Sequence, residues 1–443
     1  VPRGVVRRSH RLNGVEFPYT IEVPQAYDPA RRYQVRVHLH GGVGRPSPSE
    51  RGGGSIGALA GSEQIYVMPT AWDAAPWWHP TQADSLRAIL DALKRDYNVD
   101  ENRVVVSGVS DGGTGAYYLA MRDTTPYAAF LPLNGFIMIL ANQSLRLQEQ
   151  LFPNNLRNKP FFVVNGGRDQ LYPTSLVDPY IRHLQLGGVA VSYQPQPDGA
   201  HNTAWWPQVK DAFEAFVRDH PRDPYPATLT WESDRTPARA HWLIVERLAP
   251  RGAEEPLPDL NEMVTGAEPN FGVRADGMRV TTVLKGSNAE SFGLLPGDLV
   301  ESINGRIIPA GVPLLQMLEV YDAGTALTLT IDRSGRSMEL SGVYQPRRLP
   351  RLTTLFPRRG GGGRVDLTRD GNLVRAVTRG VERFTLLLSP DVFDFSRPVT
   401  VVANGRTVFD ARVEKSLETL VKWGAIDQDR TMLFAAELSV PVR

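Results

Sequence analysis

The chain has 443 residues, 42% hydrophobic and 22% charged, an ordinary globular composition with room for about two to four domains. Basic and acidic residues number 49 and 48, and the formal net charge of +1 gives no electrostatic case for nucleic acid or an anionic membrane. Cysteine is absent, which excludes disulfides, thiolate metal sites and a cysteine nucleophile and leaves the redox compartment open.

No apolar run approaches the roughly 18 residues that span a bilayer. The chain begins at Val1 rather than Met, which fits removal of an N-terminal segment and a secreted or periplasmic location; the opening "VPRG" equally fits the scar of an engineered protease site. "YQVRVHLHGG" (33–42) is an apolar strand ending in glycines, and "QIYVMPT" (64–70) is another. Residues 84–98 carry apolar side chains at 86, 89, 90 and 93, the spacing of an amphipathic helix. A strand over 104–107, a helix over 113–122 and strands over 128–135 and 160–169 follow. Next come a helix over 176–186, a strand over 189–197 and a last helix over 203–220. Such alternation predicts a mostly parallel sheet covered on both faces.

After "HPRDPYP" (220–226) the pattern turns to strands, with an Asn-Gly hairpin turn in "ANGRT" (403–407) and proline- and charge-rich loops near 250–260 and 347–364. The basic clusters "RRLPR" (347–351) and "PRRGGGGR" (357–364) read as solvated linker. The organisation predicted is an α/β domain over 1–222, a PDZ-like unit over 262–346, and a β-rich domain in two segments, 227–255 and 364–443. No internal repeat is evident.

The chemistry concentrates in "VVVSGVSDGGTGAYYLA" (104–120). Gly108-Val109-Ser110-Asp111-Gly112 fits G-x-S-x-G, in which a serine sits on a strained strand-to-helix turn and its neighbours must be small for the backbones to approach. The following helix N-terminus aims amides at a developing oxyanion. A serine nucleophile needs a base and the base an orienting acid, in the chain order serine, acid, histidine. Of the histidines after Ser110, His183 lies in a helical pattern, His220 in the linker and His241 in a strand-like run. His201 lies on a loop between the last strand and the last helix. Asp169 ends a strand 32 positions before His201 and is favoured as the acid over Asp178, a helix-start residue, and Asp198, in the histidine loop itself. Oxyanion donors are expected at the Asp111 amide and at Gly42 or Val43 in "HLHGGVGR" (38–45), each contributing about 3–4 kcal/mol to the transition state. His40 is expected to pack under that loop.

Together "HGGVG", "GVSDGG", "NGGRDQLYP" and "DGAHNTAWWP" resemble the α/β-hydrolase fold over about 1–220. The resemblance is to esterases of the polyhydroxybutyrate-depolymerase and feruloyl-esterase type and to prolyl-oligopeptidase-like peptidases. It implies that Ser110, Asp169 and His201 form a triad and that no metal or organic cofactor is needed. Only 59 positions separate Ser110 from Asp169, too few for a large lid, so an open site is expected. Five of the eight tryptophans (Trp72, Trp77, Trp78, Trp205 and Trp206) cluster near these motifs and are candidates for an aromatic or hydrophobic substrate surface, or for packing.

"SNAESFGLLPGDLVESINGRII" (287–308) resembles a bacterial PDZ domain, with Asn288 where proline is usual. By that resemblance, Asn270, Phe271, Gly272 and Val273 form the loop that takes a peptide C-terminus, beside an edge for strand addition. The resulting expectation is a serine hydrolase acting on carboxylic esters: an α/β-hydrolase sheet covered by helices, followed by a PDZ domain inserted in a small β-rich domain. The alternatives are a peptidase with PDZ-assisted peptide capture and a PDZ adaptor with an incidental hydrolase domain.

Overall fold

The structure, a computed structural model, describes residues 1–47, 63–145, 147–250, 257–309 and 311–442. The tip of the proline- and charge-rich loop near 250–260, at 251–256, lies outside the described residues. The chain divides into two compact units, residues 1–261 with 355–443, and residues 262–354.

The first unit opens with β1 (Gly4–Leu12), β2 (Val15–Val23), β3 (Tyr33–Leu39) and β4 (Ile65–Pro69). Then come α1 (Pro80–Asp96), β5 (Val99–Val109), α2 (Asp111–Arg122), β6 (Ala129–Leu133), β7 (Phe161–Gly166), α3 (Thr174–Leu186), β8 (Val191–Gln196) and α4 (Trp206–Asp219). The sheet runs β1-β2-β4-β3-β5-β6-β7-β8. β1 pairs antiparallel with β2, β2 pairs antiparallel with β4, and from β4 onward every pairing is parallel. The parallel strands are covered on both faces, so β4, β6 and β7 are buried at every position and read as apolar runs rather than alternations. The fold of this region is mixed α/β.

Helix ends differ from the sequence pattern for local reasons. α1 begins at Pro80, whose fixed φ suits a first helical position, with the His79 ring accepting the Thr81 amide. α4 begins only at Trp206, because Asn202 Oδ1 accepts the Ala204 amide at 3.0 Å and holds 202–204 in a turn.

Downstream, the same unit contains a five-stranded sheet (residues 228–233, 363–370, 373–379, 399–403 and 406–411) and a four-stranded sheet (238–240, 243–248, 381–388 and 436–441). Trp231, Trp242, Phe384, Val401 and Phe434 belong to one buried cluster shared by the two sheets. Thr228–Ser233 pairs antiparallel with Gly363–Asp370, so the backbone returns to the same sheet after residues 262–354.

Arg222 joins this β-rich part to the α/β part. Its guanidinium meets Asp429 at 2.7 Å, Asn102 Oδ1 at 2.9 Å and the Thr125 carbonyl at 3.3 Å, and both charged side chains are almost fully buried. Arg430 pairs with Glu101, and Asn155 donates to the Glu232 and Met121 carbonyls while accepting the Glu232 amide.

The second unit holds a sheet in the path 273–276, 279–283, 299–303, 326–333 and 336–343, with 306–307 paired on 299–303. Phe271, Phe292, Val300, Ile303, Leu329 and Tyr344 lie in its core. A separate ribbon pairs Glu262–Asn270 with Arg347–Thr354. Asn288, in the position where the motif usually has proline, donates to the Val343 carbonyl at 3.0 Å and accepts the Gln345 amide at 2.7 Å.

The basic clusters are not free linker. Arg347–Arg351 is exposed but forms part of the ribbon. Arg358 pairs with Glu232 and Asp259 and stacks over Phe152, the Arg359 amide donates to Gln150 Oε1, and Arg364 is buried against Asp366. Composition marked these stretches as solvated; acceptors distant in sequence order them. Among the described residues no helix is long and apolar enough to cross a membrane.

Replacing Arg222 by Ala leaves Asp429 buried without its cation. We expect a loss of about 3–5 kcal/mol of stability in urea unfolding, and a change under 1 kcal/mol would contradict this role.

Candidate active site

Parallel pairing brings the C-terminal ends of β3, β5, β6, β7 and β8 to one edge of the sheet, with Leu39 beside Gly108, Val109 beside Leu133 and Gly166 beside Gln196. The loops carrying Gly42, Ser110, Asp169 and His201 all leave from that edge, where open α/β sheets bind ligands.

Ser110 occupies the turn between β5 and α2 with φ 58° and ψ −119°, a conformation that L-residues rarely adopt. The turn is tight. A Cβ on Gly108 would lie 2.2 Å from the Gly112 carbonyl oxygen, and one on Gly112 would lie 2.0 Å from that of Leu39. The Ser110 amide donates to the Leu133 carbonyl at 2.9 Å, anchoring the turn to the neighbouring strand.

His201 Nε2 lies 2.9 Å from Ser110 Oγ, and His201 Nδ1 lies 2.7 Å from Asp169 Oδ2. Asp169 has no exposed side-chain surface, and its Oδ1 accepts the amides of Leu171 and Tyr172 at 2.8 and 2.9 Å. Three donors thus hold the carboxylate in the orientation that fixes the histidine tautomer with the proton on Nδ1. The rivals lie elsewhere. Asp198 pairs with Arg168 in solvent, and Asp178 accepts the Tyr193 hydroxyl. His183 bonds the Leu260 carbonyl, His220 the Phe216 carbonyl and His241 the Pro224 carbonyl.

The loop after β3 is fastened from below by His40. The Ala71 amide donates to its Nε2 at 3.1 Å, which leaves the proton on Nδ1 to donate to the Gly41 carbonyl at 2.9 Å. The His40 carbonyl accepts Trp77 Nε1 at 2.8 Å. Burial lowers the His40 pKa, with the Gly41 carbonyl acting the other way, so the ring is held neutral. Gly42 has φ 70° and is exposed at the loop tip. Val43 differs from the expectation of a free oxyanion donor: its amide donates to Asp111 Oδ2 at 2.9 Å. With the Val43 N–H engaged, Gly42 and Asp111 remain as candidate backbone donors.

The tryptophans are a correction of a similar kind. Trp72, Trp77, Trp78, Trp205 and Trp206 are all buried, none more than 7% exposed. Trp205 and Trp206 pack among Phe162, Val209 and Phe213 beneath α4, Trp77 donates to the His40 carbonyl, and Trp72 lies tilted against Phe17. Flat side chains of this size bury large areas, and here they build the sheet edge rather than line a substrate surface.

The sequence reading missed Tyr172, which lies against the proposed base, and Phe136, which packs behind it. The Tyr172 ring meets the His201 ring edge-on at 5.6 Å, and Phe136 contacts both Tyr172 and Tyr180. Burial raises the Tyr172 pKa, and the negative charges of Asp111 and Asp169 push it the same way. The signal was present: a carboxylate that caps the amides two and three residues ahead turns the chain back, returning Tyr172 to the site. Asn134, at φ 47°, was also missed; its Nδ2 supports the histidine loop through the Asn202 carbonyl at 2.8 Å. Among the described residues no group of three or more His, Asp or Glu is placed to hold a metal ion.

No family model matches the chain. Over 135 residues it is 27% identical to the probable feruloyl esterase C of Aspergillus terreus (strain NIH 2624 / FGSC A1156), covering 29% of this chain and 48% of that protein. Over 97 residues it is 28% identical to a bifunctional acetylxylan esterase/xylanase of Neocallimastix patriciarum, covering 22% of this chain and 13% of that protein. The chain thus spans less than half the length of these curated relatives. Among solved structures it is similar to a thermostable esterase at 20% identity and TM-score 0.39, covering 49% of this chain and 63% of that one. It is also similar to the apo form of Thermogutta terrifontis esterase 2 at 15% identity and TM-score 0.41, covering 49% and 94%.

Neutral buried histidines make stability depend on pH. Burial lowers the pKa of His38, aided by Arg36, to about 3, and burial next to Lys159 and Arg222 holds that of His241 well below its usual value. Below the unfolded value of about 6.5 the unfolded chain takes up protons that the folded chain refuses, so stability present at pH 7 is lost as pH falls. Each such histidine contributes up to about 1.4 kcal/mol per pH unit. The melting temperature followed by circular dichroism should drop steadily from pH 7 to pH 4.5; a flat profile would contradict the buried neutral state.

Proposed function

We propose that the chain is a serine hydrolase acting on carboxylic esters. The observation that carries this reading is the unbroken chain of short hydrogen bonds from Ser110 Oγ through His201 to the buried Asp169 carboxylate. In this mechanism Ser110 Oγ attacks the ester carbonyl while His201 Nε2 takes its proton. Asp169 keeps the Nδ1 proton in place and stabilises the imidazolium. The tetrahedral oxyanion is held by backbone amides at Asp111 and Gly42. His201 then returns the proton to the departing alcohol, leaving an acyl-serine. Water, deprotonated by the same nitrogen, cleaves the acyl group and restores the serine.

The names of the curated relatives, a feruloyl esterase and an acetylxylan esterase/xylanase, support esters over amides. The edge-on contact of Tyr172 with His201, backed by Phe136 and Tyr180, supports an aromatic or hydrophobic group on the ester.

In residues 262–354 we infer a PDZ-like module that takes a peptide C-terminus. Val273–Asp276 is the edge strand of its sheet, paired on one side only, which leaves an edge for an added strand. Asn270, Phe271 and Gly272 lead into that strand; Gly272 has φ 92°, and the Phe271 side chain is in the core, so recognition there falls to the backbone.

A panel of aryl esters and peptide amides tests the main reading, with turnover of esters and little of amides expected. Ser110→Ala should abolish both turnover and labelling by a fluorophosphonate probe, and Asp169→Asn should lower kcat by about 10⁴-fold. A folded wild-type protein that the probe does not label would sink the reading. Tyr172→Ala should raise KM for aryl-acyl esters more than for acetyl esters; an equal change would remove Tyr172 from substrate recognition. For the module, fluorescence anisotropy with free-acid and amidated forms of one peptide library should show binding only to the free acids.

A further inference from the structure

The Asp111 side chain does something that its place after the nucleophile does not require. Its backbone belongs to the first turn of α2, while its carboxylate reaches across to the loop after β3 and accepts the Val43 amide at 2.9 Å. That loop runs against the nucleophile, since a Cβ on Gly41 would lie 3.1 Å from Ser110 Cβ and 3.7 Å from Ser110 Oγ. Upstream, the loop is fixed by His40, through the Ala71 amide, the Gly41 carbonyl and Trp77 Nε1. Downstream, the Arg45 carbonyl accepts the Asp73 amide at 2.9 Å. Between these anchors lie Gly41, Gly42, Val43 and Gly44, three glycines in four positions. Left to itself such a segment samples many backbone conformations, and an oxyanion donor carried on it is not preorganised.

We infer that Asp111 is a positioning residue: its carboxylate clamps the Val43 amide and so holds the glycine loop, with the Gly42 donor, in register with Ser110. This rests on the ester-hydrolase reading of the site. The clamp ties the donor loop to the element that carries the nucleophile, so the distance between attacking oxygen and oxyanion donor is set within one rigid pair. The function used is that of an acceptor, not of a charge. A negative charge beside a developing oxyanion opposes it, so an uncharged acceptor of the same shape serves the clamp.

Asp111→Asn keeps a carbonyl oxygen for the Val43 amide, whereas Asp111→Ala and Asp111→Leu remove it. On an aryl ester that the wild type turns over, Ala and Leu should lower kcat by about 10- to 100-fold with KM within about threefold, the size expected for a misplaced donor. Asn should exceed Ala in kcat by at least tenfold. If Asn and Ala fall together, or if Ala keeps wild-type kcat, the proposal is overturned. Two acceptor-less variants guard against a folding failure in one, and melting temperatures check both. The second-order rate of fluorophosphonate labelling at Ser110 provides a readout free of substrate choice, because the phosphonyl oxygen uses the same donors. A wild type that labels but hydrolyses no ester would refute the ester reading, and the same Asn-to-Ala ratio in labelling would still uphold or refute the clamp.

Discussion

At the end of β5 two backbones come closer than any side chain permits. Gly112 faces the Leu39 carbonyl and Gly108 faces the Gly112 carbonyl at distances where a Cβ would overlap them. That approach lets α2 start with only Ser110 between it and the end of β5, and holds Ser110 at φ 58°. Everything else at the site is arranged around that fixed point. The His201 loop comes down on it from the end of β8, Asp169 reaches that histidine from the end of β7, and the glycine loop after β3 lies along its flank. A strained serine persists only because parallel strands and the helix over-determine it.

The parallel sheet supplies this precision at little entropic cost to the site. Ser110, Asp169 and His201 each sit one to five residues beyond the end of a strand and have little slack. The longer loops are fastened by side chains outside the Ser110–His201–Asp169 set, His40 under the glycine loop and Asn134 under the histidine loop, while Asp169 itself also caps the turn that returns Tyr172. The β-rich part is bound to the α/β part by the buried pair of Arg222 with Asp429 and by the exposed Arg430 set on the buried Glu101. A fully buried pair such as Arg222 with Asp429 does little for net stability but strongly penalises separation.

Residue type and order made much of the site readable. G-x-S-x-G at a strand–helix junction, an acid at a strand end and a histidine on the next loop name Ser110, Asp169 and His201 as candidates, since each is a rare residue at a distinctive place in an alternating pattern. The same reasoning failed where the question was which way a side chain faces. Tryptophans near the motifs suggested a substrate surface, yet the structure buries all five, because a large ring at a sheet edge is stabilised more by packing than by exposure. "PRRGGGGR" suggested free linker, yet Gln150, Glu232 and Asp259 order it.

Local rules therefore determined what the sequence could determine: the alternation of elements, the turn that strains Ser110, and the short list of groups able to do the chemistry. These depend on neighbours along the chain. Only the tertiary structure decided that Val43 gives its amide to Asp111, that Tyr172 lies against His201, and that Arg222 finds Asp429 across 207 positions. Those contacts join segments whose separation in sequence carries no periodic signal. They form because buried donors and acceptors must find partners, and which partner is nearest is settled by the packing of the sheet and its helices.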